Sequence, residues 1–392
     1  MVLKCFYIYG LICGLLPALL ENGKFIIRSS QRWYILYTAC LHVVLLILLP
    51  FTFPNYMYDK SYMSQNPFLQ WAFNLTNITR IMSVFSGYCV MWLKRKRLLK
   101  LGKNIFHHCL KCKRLENNSR KYTPLWKRTQ GLLVQMFFVS NLNILVSAFI
   151  MVKITTDRSF NNTTMIIAHV VQYIYIINMM AGVYAILLFL RWQSDRMQIA
   201  LKDLCSLLNH EERNSLVLSE EKSKIAFDKL HYLFRLHVGN QRLIREVFET
   251  LDIPIALLLL KMFVTNINLV YHGVQFGNTS ITASNITKFT AICGIICHYW
   301  SAILLMNIVD DVTRRSGLKM GNLLREFSHL ELVSRNFQLK MELFSDHLRC
   351  HPATYKVCGL FVFNKQTSLV YFFYVLVQVS VLVQFDLKKK VE

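Results

Sequence analysis

The stretch that decides the fold runs from residue 165 to residue 190 and reads MIIAHVVQYIYIINMMAGVYAILLFL. It contains no Asp, Glu, Lys or Arg. A helix needs about 20 predominantly apolar residues to cross the hydrocarbon core of a bilayer, and this stretch is long enough. A helix also satisfies its backbone hydrogen bonds internally, which a segment surrounded by lipid requires. The stretch therefore predicts a transmembrane helix.

Six other apolar stretches are long enough to cross a membrane. They occupy residues 34–53, 71–93, 131–153, 253–275, 288–309 and 367–386. We therefore predict an all-α, polytopic membrane protein with seven transmembrane helices. Residues 5–20 are also apolar, but the run is short and contains Gly10, Gly14 and Pro17. We interpret it as a short interfacial or re-entrant segment, while a cleaved signal peptide and an eighth span stay open.

The composition indicates lipid rather than water around much of the chain. Of the 392 residues, 54% are hydrophobic and 17% are charged, whereas a soluble domain carries about a quarter charged residues. The formal charge of +23 could suggest nucleic acid, but a nucleic-acid-binding protein places its basic residues on one face. Here they lie almost entirely between the apolar stretches, as in membrane proteins. We therefore expect a lipid bilayer as partner and no nucleic acid.

The distribution of Lys and Arg predicts the orientation in the membrane. Loop 94–130 holds thirteen of them, whereas loops 54–70 and 154–164 hold one each. Because short loops rich in Lys and Arg stay in the cytoplasm, we predict a cytoplasmic N-terminus and an extracellular C-terminus. Four N-glycosylation triplets fall in loops assigned to the outside, and they begin at Asn161, Asn162, Asn278 and Asn285. The lysines at 388–390, just after the last span, oppose this orientation.

Residues 191–252, between the fourth and fifth spans, are too regular for a linker. From Glu220 to Thr250 the apolar residues recur at helical spacing, which predicts that both spans continue into the cytoplasm as helices. We expect residues 1–309 to form a transmembrane ligand-sensing bundle with this cytoplasmic insertion. Residues 310–392 then form cytoplasmic anchor helices and the seventh span.

Polar and aromatic side chains within the spans are candidates for a small-molecule site. Such a site needs an apolar cavity with a few hydrogen-bonding groups. The predicted ligand-binding residues are Arg80, Tyr173, Tyr175, Tyr271, His272 and Trp300. The alternatives are ordinary contacts between helices and, for Arg80, a side chain that snorkels to the headgroups. Lys261 lies nearer the inner face of the fifth predicted span, and we interpret it as snorkelling or pairing.

The sequence gives little sign of catalysis or of a metal site. The residues His107, His108, Cys109 and Cys112 resemble half of a zinc site, but a structural zinc needs four ligands and no second pair lies nearby. A catalytic dyad, a Gly-rich phosphate loop and a nucleophile elbow are absent from the sequence. We therefore expect no enzyme activity, no cofactor and no metal.

The most specific pattern lies at the end of the chain. Residues 358–364 read CGLFVFN, and residues 381–385, in the last span, read VLVQF. This region resembles the insect gustatory receptor family, whose signature is Thr-Tyr, five apolar residues and Gln-Phe in the final helix. Gln384 and Phe385 match the signature. Residues 377–378 are Val-Gln instead of Thr-Tyr, so the role of the family's tyrosine is not carried over.

The resemblance implies a ligand-gated cation channel in the plasma membrane of gustatory receptor neurons. It implies a homo- or hetero-tetramer with other gustatory receptor subunits, in which the seventh helices line the pore. Val381, Gln384 and Phe385 would then lie on or beside that pore. The ligand would be a small-molecule tastant, with bitter compounds expected and sugars or pheromones still open. The alternatives are a G-protein-coupled receptor of opposite topology and a channel of the odorant-receptor type.

Overall fold

The computed structural model describes most of the chain, with gaps between helices. The described residues are 2–16, 20–21, 24–25, 29–49, 67–115, 119–154, 160–214, 220–277, 285–330, 333–352 and 354–391. The helices are α1 Val2–Ile12, α2 Ser29–Ile47, α3 Pro67–Leu93, α4 Arg95–Lys113, α5 Ser119–Ile154, α6 Phe160–Asn214, α7 Glu220–Gly277, α8 Asn285–Arg314, α9 Met320–Arg325, α10 Arg335–Cys350 and α11 Lys365–Val391. A π-helical turn, Arg315–Lys319, joins α8 to α9, and a 3₁₀ turn, Glu326–His329, follows α9.

Four short strands form two hairpins. They are β1 Leu20–Glu21, β2 Lys24–Phe25, β3 Lys356–Val357 and β4 Phe361–Val362, and each hairpin is antiparallel. The second hairpin contains the sequence motif that precedes the last span. Its turn places Cys358 and Gly359 at positive φ, a conformation that glycine adopts without steric cost. Asp252 of α7 anchors it, because its Oδ1 accepts hydrogen bonds from Tyr355 Oη at 2.6 Å and from the Cys358 backbone N–H at 2.9 Å.

Seven helices correspond to the seven predicted spans: α2, α3, α5, α6, α7, α8 and α11. Among the described residues, five of them are long and apolar enough to cross a membrane by length and composition: α5, α6, α7, α8 and α11. The apolar part of α2 is shorter, and residues 50–53 of the predicted first span lie outside the described residues. The 27-residue α3 carries Arg80 near its middle, and this charge lowers its average apolar character.

The fourth and fifth spans continue well beyond a bilayer, as predicted. Helix α6 has 55 residues and α7 has 58. At about 1.5 Å per residue, each exceeds 80 Å, against a hydrocarbon core of about 30 Å. The extensions lie at the end of the bundle where α3 gives way to the Lys- and Arg-rich helix α4, which we call the basic end. There the extended parts of α6 and α7 enclose an apolar core with α9 and α10, containing Phe337 and Phe344.

The N-terminal segment folds back on α2. Helix α1 has 11 residues, or about 16 Å, which is short of a span. Tyr37 Oη donates to the Ile12 carbonyl at 2.6 Å, and Tyr34 Oη donates to the Leu16 carbonyl at 2.9 Å. At 11 residues α1 is too short for an eighth span, and the interfacial or re-entrant interpretation of this segment stays a prediction.

Candidate functional site

Arg80 is buried inside the bundle rather than extended toward the headgroups. Its side chain is 2% exposed. Its Nη2 donates to Asn77 Oδ1 at 2.8 Å, and its Nη1 contacts the imidazole of His169 on α6. Since a guanidinium can only donate, the His169 nitrogen that it contacts is the acceptor. The snorkelling alternative is therefore wrong, and Arg80 joins α3 to α6.

Tyr173 continues this polar network across the bundle. Its ring stacks on His169 with 6.1 Å between ring centroids. Its hydroxyl contacts His298 Nε2 on α8 and lies 3.2 Å from Asn143 Oδ1 on α5. Lys261 of α7 completes the group, because its Nζ lies 4.5 Å from the centroid of the Tyr173 ring. We call Arg80, Asn77, Asn143, His169, Tyr173, Lys261 and His298 the polar cluster.

The polar cluster joins two buried basic side chains, Arg80 and Lys261, and includes no carboxylate among the described residues. Lys261 is 1% exposed, and its Nζ has no hydrogen-bond acceptor among the residues that the structure describes. The first six predicted spans contain no Asp or Glu. Burying a charge without a counter-ion is costly, and intramembrane charges normally pair or line a water-filled path. Lys261 therefore does not snorkel, and the contact that the structure gives its Nζ is with the face of the Tyr173 ring.

Tyr175 belongs to a second group, nearer the basic end. Its ring centroid lies 4.8 Å from that of Tyr88 and 5.7 Å from that of His42. His42 Nδ1 accepts a hydrogen bond from Trp92 Nε1 at 2.9 Å. These four aromatic side chains pack α2, α3 and α6 together. The structure therefore separates Tyr175 from Tyr173.

Tyr271 lies against the last span. It is fully buried and forms an apolar group with Tyr299, Val375 and Val379, the latter two from α11. Five residues before it on the same helix, Asn266 Nδ2 donates to Tyr371 Oη of α11 at 2.7 Å. Helix α7 thus contacts the polar cluster through Lys261 and contacts α11 through Asn266 and Tyr271.

The other predicted residues lie apart from the polar cluster. Trp300 is 42% exposed and His272 is partly buried. Val381, Gln384 and Phe385 are all exposed on α11. Of the predicted glycosylation sites, Asn285 is exposed at the start of α8, Asn161 and Asn162 lie in the first turn of α6, and Asn278 falls outside the described residues.

The predicted ligand-binding residues leave out six residues that the structure places in these contacts. They are Asn77, Asn143, His169, Lys261, His298 and Tyr371. The available signal was weak but present, since each is a polar group inside an otherwise apolar stretch, where it needs a partner. Which partner each one meets depends on how the helices are rotated about their axes.

A cavity of about 620 Å³ lies at the basic end, away from the polar cluster. Its lining includes Arg97, Arg242 and Arg245. Carboxylates already neutralise two of these cations, because Arg97 lies 2.7 Å from Glu249 and Arg242 lies 3.1 Å from Glu246. None of the predicted ligand-binding residues lines this cavity.

The partial zinc motif forms a buried contact on α4. Cys112 Sγ lies 3.5 Å from His108 Nε2. Burial raises the pKa of the Cys112 thiol to about 12 and lowers the pKa of His108 to about 4. Both side chains are therefore neutral near pH 7. Within the described part of the chain, no group of three His, Cys, Asp or Glu side chains is arranged to hold a metal ion.

Comparison with known proteins identifies the group to which these features correspond. The sequence profile of the family described as 7tm Chemosensory receptor matches residues 3–389. A Drosophila melanogaster protein assigned as gustatory receptor 58a is 66% identical over 392 residues, covering 100% of this chain and 99% of that protein. A second, assigned as gustatory receptor 58b, is 25% identical over 370 residues, covering 93% and 86%.

Solved structures share the fold. The insect olfactory receptor OR5 from Machilis hrabei aligns with a TM-score of 0.69 at 14% identity, covering 98% of this chain and 97% of that one. Its complex with eugenol aligns with a TM-score of 0.69 at 12% identity, covering 97% of both. At such low identity the match concerns the fold alone. It confirms the prediction of an all-α membrane protein with seven transmembrane helices.

Proposed function

Because this chain belongs to the 7tm chemosensory receptor family, as a gustatory receptor of the insect type and a multi-pass membrane protein, we propose that it is a ligand-gated cation channel. In this proposal four subunits, identical or mixed with other gustatory receptor subunits, surround one pore. The ligand is a small tastant, with bitter compounds the expected class. The receptor acts in the plasma membrane of gustatory receptor neurons.

The exposure of α11 is the observation that carries the proposal. Only 11% of its apolar segment is buried within the subunit, compared with 61% for α6. An apolar helix that packs so little against its own subunit is suited to pack against other subunits around a pore. Gln384 then offers a polar group to permeating ions, and Val381 can close the path by dewetting.

The polar cluster supports the ligand-binding part of the proposal. Four predicted spans contribute cations and imidazoles to it, together with a tyrosine hydroxyl, so a ligand there contacts several helices at once. The related fold of OR5 has been solved with eugenol, a small molecule. A ligand opens the channel only if it binds the open arrangement more tightly than the closed one. A ligand that contacts several helices can have different affinities for the open and the closed arrangement, because the helices can move relative to one another.

The pore assignment is tested by recording ligand-evoked currents. The receptor is expressed in cultured cells, alone and with sister subunits, and challenged with a panel of bitter compounds under voltage clamp. Gln384→Ala is expected to change the relative permeability of sodium and a large organic cation. Thr290→Ala, which removes a half-buried hydroxyl that bonds the Ile286 carbonyl of its own helix, α8, should leave permeability unchanged. Unaltered conductance, selectivity and gating in Gln384→Ala would remove Gln384 from the pore.

The proposed orientation is tested separately with epitope tags. A tag at the C-terminus should be reached by antibody on intact cells, whereas a tag at the N-terminus should require permeabilised cells. The lysines at 388–390 are the feature that favours the reverse result. An exposed N-terminal tag with a hidden C-terminal tag would overturn the channel orientation and would favour a G-protein-coupled receptor.

A further inference from the structure

We propose that the polar cluster is an anion site and that its ligands are amphipathic carboxylic acids. This inference rests on the proposed function in one respect, since it assigns the ligand class of the same site. The carboxylate lies between the Lys261 ammonium and the Arg80 guanidinium. The remainder of the ligand is apolar, because Tyr173 is itself part of the main apolar core of the bundle.

The hydrogen-bonding groups of the cluster have a surplus of donors. Lys261 Nζ, Arg80 Nε and Asn143 Nδ2 are each buried and have no acceptor within the described residues. Their side chains belong to residues that are 1%, 2% and 0% exposed. Buried donors without acceptors are rare in folded proteins, and each one calls for an explanation. Three of them in one cluster indicate a partner that brings acceptor oxygens.

The charge of the cluster indicates that this partner is an anion. Arg80 contacts the neutral groups Asn77 and His169, and Lys261 lies over the face of the Tyr173 ring. No Asp or Glu occurs in the first six predicted spans to balance the two cations. A neutral alcohol or ester can accept hydrogen bonds but leaves both charges uncompensated. A carboxylate accepts from several donors and supplies the missing counter-charge.

The cavity at the basic end is the competing place for an anion. It is lined by more cations than the polar cluster, but Glu246 and Glu249 pair with two of them. Its side chains are also largely exposed, so water solvates the charges there. The polar cluster is buried and its spans contain no Asp or Glu, so an incoming anion is attracted there more strongly than at the exposed cavity.

The test measures binding to the purified full-length protein in lipid nanodiscs, without any current. Octanoic acid, methyl octanoate and octanamide are titrated while intrinsic tryptophan and tyrosine fluorescence is recorded. The acid is expected to bind about 10- to 100-fold more tightly than the ester or the amide, because hydrogen bonds to charged groups contribute most in dry sites. Equal affinity for the acid and the ester would overturn the proposal.

Variants assign the selectivity to the cluster. Lys261→Met should reduce acid affinity by about tenfold or more and leave ester affinity unchanged, since it keeps the volume and removes the charge. Lys261→Arg, which keeps the charge, should retain the preference for the acid. Lys288→Met, an exposed lysine of α8, is the matched control and should bind as wild type. If Lys261→Met kept the full acid preference, the site would lie elsewhere.

The two proposals fail in distinguishable ways. Acid-selective binding in nanodiscs without ligand-evoked current in cells would support the anion site and reject the channel. Currents evoked by neutral bitter compounds, together with equal binding of the acid and its ester, would support the channel and reject the anion site.

Discussion

Gly87 shows how much the packing of the bundle depends on single residues. A Cβ atom at this position would lie 3.0 Å from Tyr175 Cε1, Tyr175 Oη and Met179 Sδ. The Tyr175 ring cannot easily move aside, because it also contacts the rings of Tyr88 and His42. Gly87 therefore permits the close approach of α3 and α6.

We expect Gly87→Ala to destabilise the protein by about 1–3 kcal/mol, the usual effect of overpacking a core. The measurement is the melting temperature of the detergent-solubilised receptor. Gly182→Ala is the matched control, because nothing lies within 4 Å of a Cβ at that helical position. That variant should be neutral or more stable by about 0.5–1 kcal/mol. Equal melting temperatures for the two variants would contradict the packing argument.

At the scale of elements, the residue between α3 and α4 supplies a hydrogen bond that α7 lacks at its proline. Pro254 lies inside α7 and lacks the N–H that would normally bond the carbonyl four residues earlier. That carbonyl belongs to Thr250, and Lys94 Nζ donates to it at 3.2 Å. The lysine between α3 and α4 thus replaces a missing helical hydrogen bond where α7 leaves the predicted membrane span.

A double-mutant cycle tests this replacement. Lys94→Met should lower the free energy of unfolding by about 1–3 kcal/mol, because it leaves the partly buried Thr250 carbonyl without its donor. In a Pro254→Ala background the alanine N–H can bond that carbonyl, so the same substitution should cost much less. Lys100→Met, an exposed lysine of α4, should change little in either background. An identical cost of Lys94→Met in both backgrounds would show that the lysine acts in another way.

The elements were largely predictable from sequence, whereas the contacts between them were not. Residues 165–190 identify a span by length and apolarity alone, and the helical spacing of apolar residues from Glu220 to Thr250 predicts the extension of α7 beyond the membrane. Those signals are local, so they are visible in one segment of sequence. The bond from Lys94 to Thr250 joins residues 156 positions apart. It depends on how α4 approaches α7, and no local pattern encodes that.

The residues of the candidate site were likewise predictable only in part from the sequence. Arg80 and Tyr173 were predicted as ligand-binding residues, and the structure brings them together through His169. Tyr175 and Trp300 were equally plausible by residue type, yet one packs among aromatic rings and the other is exposed. Residue type indicates that a polar group inside a span needs a partner. Helix rotation decides whether that partner is the site, the lipid interface or a neighbouring helix.

On the scale of the whole molecule, α7 connects the polar cluster to the last span, α11. Lys261 belongs to the polar cluster, and Asn266, about one turn farther along α7, donates to Tyr371 of α11. Both residues lie on one continuous helix, so a shift at the cluster moves the partner of α11 as a rigid unit. Adjacency alone does not establish energetic coupling, which must be measured.

The coupling is measured by combining substitutions at the two ends of the bond between Asn266 and Tyr371. Asn266→Leu and Tyr371→Phe should each shift the ligand concentration for half-maximal current by about fivefold in the same direction, since a neutral hydrogen bond contributes about 1 kcal/mol. The double variant should shift it no further, because both changes remove one interaction. Tyr374→Phe is the matched control, as it removes an exposed hydroxyl from the same helix. Independent shifts that multiply to about 25-fold in the double variant, or an equal shift in Tyr374→Phe, would mean that the bond does not couple α7 to α11.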